Sequence, residues 1–333
     1  MRKTKKLVAL VLIGTTLSLS SGIPVVAVGQ ETAFTAAETY VQQATAYEYP
    51  LTGDAPEWSD LQTREDMLAV CRIPQETLDA MTTEQVVEAA LDYPLLINLF
   101  AYETPEEGLD ALVDESDAFR ELMTREERGE KLLDRLQVQQ VLDRSQTERS
   151  LEQMAIQRLL KTDRIADTYL PLKNTKAARG EEQWSYVTVY TPNGSPVSAI
   201  IKGEEYSDAE KAIHNEEMQK MYPLATYMNT ATTHYNCHSF AWHNTSTSNI
   251  HWINDTSAYR YDGSYTQISW TNAVYKDKVF YGVNNHHSAI VNRLNGPVES
   301  TMVISKWAGG PLMAHRLNYS PYNYVPSEVT FWH

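Results

Sequence analysis

The sequence predicts an α+β fold: an all-α region, then a C-terminal domain in which a cysteine-led helix packs on an antiparallel sheet. Three observations predict it. From about Trp58 to Leu170 apolar residues recur at helical spacing, and after Trp184 they alternate as in strands. All nine histidines lie at or beyond His214, and six of the seven tryptophans at or beyond Trp184. The charge is uneven too: residues 30–180 carry 30 acidic and 15 basic side chains, residues 181–333 only 13 and 9.

The chain opens on Arg2, Lys3, Lys5 and Lys6, followed by an apolar stretch from Leu7 to about Leu19 and then Val25, Val26 and Ala27. That order reads as a secretory signal peptide over residues 1–29 and predicts an extracellular chain, with the cell wall as one place it could reside. The stretch is short for a membrane span and diluted by Gly14, Thr15, Thr16 and Ser18. No later stretch is apolar enough to cross a bilayer, so no stable membrane insertion is expected after the leader is cut. Residues 30–57 read as an extended or flexible segment. An acidic chain without a basic patch excludes nucleic acid as a partner, because neutralised phosphates supply most of that affinity.

The helical domain is expected over residues 58–172. Thr82 and Gln85 form a capping-box pattern ahead of Val86, Val87, Ala90 and Leu91, and Thr124 to Glu127 repeats it ahead of Leu132, Leu133 and Leu136. Pro94 and Pro105 should break or start helices. "DYPLLINLFAY" is too apolar for a loop and predicts the centre of this core. No cluster here suggests catalysis, which leaves the helical half available to an unidentified protein partner. Residues 171–183 are the expected boundary.

The second domain is expected over residues 184–333. "WSYVTVYTPNGSPVSAII" reads as a hairpin around Pro192, Asn193 and Gly194. Ser207 and Glu210 cap a helix reaching Met221. The segment from His251 to Trp270 reads as a long loop. "KVFYGV", "HSAIVNRL", "STMVISKWA" and "EVTFWH" read as strands, with a turn at Asn295 and Gly296.

One short stretch, "YNCHSFAWH", carries the chemistry. The reactive form of cysteine is the thiolate, which forms more readily at a helix start and beside an imidazolium. Cys237 is followed by helix-compatible residues, which makes it a candidate nucleophile. His238 is its neighbour in sequence, and neighbours on a helix point about 100° apart. His287, opening an apolar strand with Ala289 and Val291 on its face, is the better candidate base. A Cys71–Cys237 disulfide is the competing reading, although Cys71 lies on an apolar helical face that suits a buried thiol. A zinc site from Cys237, His238 and His243 has a spacing that fits no structural class, so no metal and no organic cofactor are expected.

The order of Cys237, then "KVFY", then "HSAIV" about fifty residues on resembles the papain-like cysteine hydrolases of bacterial cell walls, the NlpC-type peptidases and cysteine–histidine amidohydrolases. The resemblance covers residues 220 to 310 and does not reach the helical half. It implies a papain-like C-terminal domain, Cys237 as nucleophile and His287 as base. It also implies a polar residue on the next strand to orient the imidazole. There "VISKWAGG" offers Ser305, because Lys306 is donor-only when charged. By resemblance the substrate is a peptidoglycan stem peptide or another extracellular peptide. Two other functions remain open: an inactive cell-wall or peptide-binding module, and transglutaminase-like acyl transfer, which normally uses an Asp that is missing after His287.

Overall fold

The computed structural model describes residues 47–138, 146–168, 184–282 and 287–333. The leader and the boundary expected at 171–183 lie outside the described residues. Helices come first and strands follow, in an α+β arrangement. No helix among the described residues is long and apolar enough to cross a membrane.

Side chains that close their own first turns set the helix starts. Thr82 accepts from the Gln85 N–H, and the Gln85 side chain accepts from the Thr82 N–H, so α-helix Thr83–Leu91 begins where the pattern predicts. Ser207 and Glu210 do the same for helix Asp208–Met221. Thr124 departs from expectation. Its hydroxyl donates back to the Glu121 carbonyl at 2.7 Å, finishing helix Asp117–Leu122, and the next helix starts at Arg128. The apolar run is central as predicted: Leu95 to Tyr102 are all buried, around a 3-10 turn at Leu96–Phe100. Residues 47–57, expected to be loose, contain a fixed point, since buried Tyr49 donates its hydroxyl to the Ala89 carbonyl.

The hairpin forms as β1 (Trp184–Tyr190) and β2 (Pro196–Lys202), with Gly194 at φ 85° in its turn. Seven more strands make one antiparallel sheet in the order β3-β8-β7-β6-β5-β9-β4. They are β3 (Thr226–Asn229), β4 (Gln267–Ile268), β5 (Lys278–Tyr281), β6 (His287–Arg293), β7 (Met302–Lys306), β8 (Leu312–Arg316) and β9 (Val329–Trp332). β5, β6 and β7 are the predicted meander, and β9 is the predicted C-terminal strand. β3 and β8 escaped notice because "TYMN" is short and mostly exposed, and "LMAHR" carries His315 and Arg316 on an otherwise apolar run. The expected loop also holds a short helix, Ser257–Tyr261.

Register decides what each sheet face presents. Phe280 pairs with Ser288, Tyr281 with His287, Ile290 with Ile304 and Ser305 with Met313. Phe280, Ile290 and Ile304 pack against Phe240, Ala241 and Trp242 of the cysteine-led helix. Val279, Tyr281, Ala289, Val291 and Val303 form the opposite face.

The two halves share a core. Met218, Met221, Tyr222, Trp307, Met313, Tyr319 and Tyr322 join the apolar cluster of the helical half. Polar contacts cross the same seam: Trp58 Nε1 donates to the Met221 carbonyl, Tyr222 to Asn98 Oδ1, and Tyr322 to the Ala101 carbonyl at 2.6 Å. Through this seam the helical half reaches the cysteine.

Candidate active site

Cys237 begins a short helix, as expected, and Asn236 caps it. The Asn236 side-chain oxygen accepts from the Ser239 N–H at 3.0 Å and from the Ile253 N–H at 3.2 Å. The following turn, Ser239–His243, is a π-helix, closed by the Asn244 N–H on the Ser239 carbonyl. Such wide turns frequently mark functional sites. The sulfur is enclosed, with Cys237 only 1% exposed, and it lies against the backbone N–H groups of Ser288 and His238. Both cysteines are free, so the disulfide reading fails.

The thiol is not alone. A nitrogen of His238, the Cys237 sulfur and a Glu103 carboxyl oxygen lie within 4.8 Å of one another. Glu103 comes from the helical half, and local chemistry fixes it there. Thr104 caps helix Pro105–Glu115 in a capping box with Glu107, and Glu107 Oε2 also accepts the Glu103 N–H at 3.1 Å. That helix sits tight on the preceding turn: a Cβ on Gly108 would stand 2.3 Å from the Leu99 carbonyl oxygen. The Glu103 side chain then reaches across the seam. Asn236 Nδ2 donates to one carboxyl oxygen at 2.5 Å, and the Trp252 indole N–H donates to the other.

These surroundings set the protonation states. Burial raises the thiol well above its ordinary pKa, and the charge of Glu103 raises it further, more than the backbone N–H groups lower it. The sequence predicted the opposite shift from the helix start alone. It missed the carboxyl, which lies 134 positions earlier. Burial also raises Glu103, against the pull of Asn236, Lys202 and Trp252. The resting thiol is therefore a protonated S–H facing a carboxyl group.

His238 is oriented from behind. Its Nδ1 lies 2.8 Å from the Ser288 hydroxyl, which also accepts from Trp242 Nε1 at 2.8 Å. His238 and Cys237 reach the same carboxyl despite being sequence neighbours, so the 100° argument against His238 does not hold at this first turn.

The two other expected site residues stand nearby with different company. Ser288, beside His287 on the strand, reaches His238 and Trp242 of the cysteine-led helix. The His287 ring stacks on Tyr322 with centroids 3.6 Å apart and meets Tyr281 edge-on. Burial holds the Tyr322 phenol well above its ordinary pKa, and proximity to Cys237 adds to the rise. Ser305 is engaged by other groups. Burial lowers His315 to about 4, and its Nδ1 lies 2.8 Å from the Arg316 carbonyl, which leaves Nε2 to accept the Ser305 proton at 2.7 Å. Trp307 Nε1 donates to the same hydroxyl at 3.1 Å. Lys306, set aside as an orienter, is buried with its amine on the carbonyls of Thr232, Ala308 and Gly310.

The sequence thus indicated that Cys237 opens a helix and gave no sign that Glu103, His238 and Ser288 gather beside it. The Thr104–Glu107 capping box was legible, but nothing in the sequence tied Glu103 to a cysteine. No protein-family model, curated protein or solved structure matches the chain.

Proposed function

We propose that the chain is an extracellular cysteine-dependent amide hydrolase of papain-like architecture, acting on peptidoglycan stem peptides or similar peptides. One observation carries the reading: the enclosed Cys237 sulfur at a helix start, with an imidazole and a carboxyl within 4.8 Å. Because the thiol rests protonated, its proton leaves as the sulfur attacks the amide carbon rather than beforehand. An imidazole takes that proton and returns it to the departing amine. Water then cleaves the thioester, which releases the acid and restores the S–H. Backbone N–H groups around the sulfur are suited to hold the developing oxyanion.

Two imidazoles compete for the proton. The grouping of His238 with Cys237 and Glu103 and its Ser288 contact support His238, and the resemblance assigns the role to His287, with Ser305 behind it. Amine release from purified peptidoglycan fragments tests both. Cys237→Ala should abolish it. His238→Ala should cost at least about a hundredfold, in the range of general-base catalysis, and His287→Ala far less. The reverse order would return the base to His287.

A second reading, a non-hydrolytic peptide or wall reader, draws on Trp184, Tyr186 and Tyr190, exposed on one face of β1. Equal binding of wall peptides by wild type and Cys237→Ala, with no amine released by either, would establish it in place of the hydrolase.

A further inference from the structure

We propose that Glu103, Cys237 and His238 form a three-ligand site for a thiophilic divalent cation of the Zn2+ class, and that the bound cation reversibly blocks the thiol. The site itself stands apart from the hydrolase reading, and only the blocking rests on it.

Donor chemistry is the first ground. Sulfur, imidazole nitrogen and carboxylate oxygen within 4.8 Å of one another are the donors zinc takes. A thiolate among them disfavours Mg2+ and Ca2+, which prefer all-oxygen sites. Three protein ligands leave a fourth position open, as zinc sites with exchangeable ligands do. Spacing along the chain could not show this set, because the third ligand comes from the other half of the molecule.

The atoms behind the ligands are the second ground. Metal-bound imidazoles usually donate their remaining ring N–H to an acceptor, and bound carboxylates are themselves hydrogen-bonded. Here the Ser288 hydroxyl stands 2.8 Å from His238 Nδ1. Asn236 and Trp252 hold the two oxygens of Glu103. The outer shell of a metal site is thus already in place.

Charge is the third ground. Among the described residues, the buried carboxylates of the helical half are met by arginine: Glu115 by Arg64, Asp117 by Arg72 and Arg120, and Glu88 and Glu152 by Arg135. Among the described residues no arginine pairs with Glu103, on which the charge of Lys202 acts. A cation between Glu103 and the thiol would supply what arginine supplies elsewhere. Binding deprotonates the thiol: the S–H bond breaks, a sulfur–metal bond forms and the proton goes to solvent. A sulfur held this way cannot attack an amide. Glu103 is itself partly exposed, which gives a cation a path inward.

The test uses the full chain, freed of metal by chelation and titrated with Co2+ as a spectroscopic probe and with Zn2+ in competition. One equivalent of Co2+ should bind with a thiolate-to-cobalt charge-transfer band, and Zn2+ should displace it. Cys237→Ser should remove the band and Cys71→Ser should keep it. Glu103→Gln and His238→Gln should each weaken binding at least about tenfold, since loss of outer-shell partners alone costs that much. If Cys237→Ser fails to fold, these two variants carry the test. A missing band in the wild type, or a band that survives Cys237→Ser or ignores both other variants, overturns the site. Amine release measured with and without Zn2+ reads the blocking separately. Release that persists at saturating Zn2+ rejects the block while leaving the hydrolase standing, and no release in either state rejects the hydrolase while leaving the metal site standing.

Discussion

Arg135 in the helical half and Cys237 in the sheet half are both fully buried, in opposite electrostatic settings. The Arg135 guanidinium meets Glu88 and Glu152 at 2.5 Å each, so two enclosed carboxylates are neutralised by a permanent cation. Around Cys237 the hydrogen-bonding partners include neutral groups: Asn236 and Trp252 on Glu103, Ser288 beside His238, and backbone N–H groups on the sulfur. Lys202 and Lys306 act through charge, and no guanidinium is paired there among the described residues. A guanidinium pair stays charged across the accessible pH range and holds structure. A neutral network leaves its acidic groups costly to ionise, and therefore able to exchange protons or accept a cation.

The sharpest way to break the comparison is to remove the permanent cation. Arg135→Met should destabilise the chain by about 3–5 kcal/mol, because it strands two buried carboxylates. Denaturant midpoints would measure it. A loss under about 1 kcal/mol would mean that the helical half does not depend on its pairing.

The next effect depends on pH. His214 is fully buried between the Phe100 and Tyr206 rings, and burial, with Lys306 and Arg158 as nearby cations, lowers it to about 3. Between about 3 and the ordinary histidine value of 6.5 the unfolded chain binds more protons than the folded one. Stability should therefore be full above 6.5 and fall as pH drops toward 3, by roughly 4 kcal/mol from this residue. His214→Phe should flatten that acid limb in melting curves taken across pH. An unchanged limb would show that His214 does not stay neutral on folding.

A smaller effect tests the neighbouring cluster of Ser305, Trp307 and His315. Ser305→Ala takes an acceptor from Trp307 and a donor from His315, and should cost about 2 kcal/mol. Its effect on turnover should match the fraction of chain left folded. A turnover loss beyond that fraction would restore Ser305 as the orienter that the resemblance implies.

These contrasts also show what the sequence could and could not convey. Thr82, Ser207 and the Asn193–Gly194 turn act through bonds within a few residues, and the elements they start or close stand where the pattern put them. Thr124 failed because its hydroxyl had a nearer acceptor behind it than ahead. In the site, the Cys237 helix start was legible for the same local reason. Strand periodicity placed His287 on a face with Ala289 and Val291, but not which face met the helix, because that depends on pairing with β5 and β7. Glu103 was out of reach for a further reason: its approach to Cys237 is set by the shared core around Tyr222, Trp307 and Tyr322.

The most direct test of the account is to trap the intermediate. Metal-free full-length chain would be mixed with peptidoglycan fragments, quenched with acid, and its cysteine peptides weighed by mass spectrometry. The account predicts a thioester adduct on the peptide bearing Cys237, none on the peptide bearing Cys71, and its disappearance as free amine accumulates. Amine release with no adduct on Cys237, unaffected by Cys237→Ala, would contradict it.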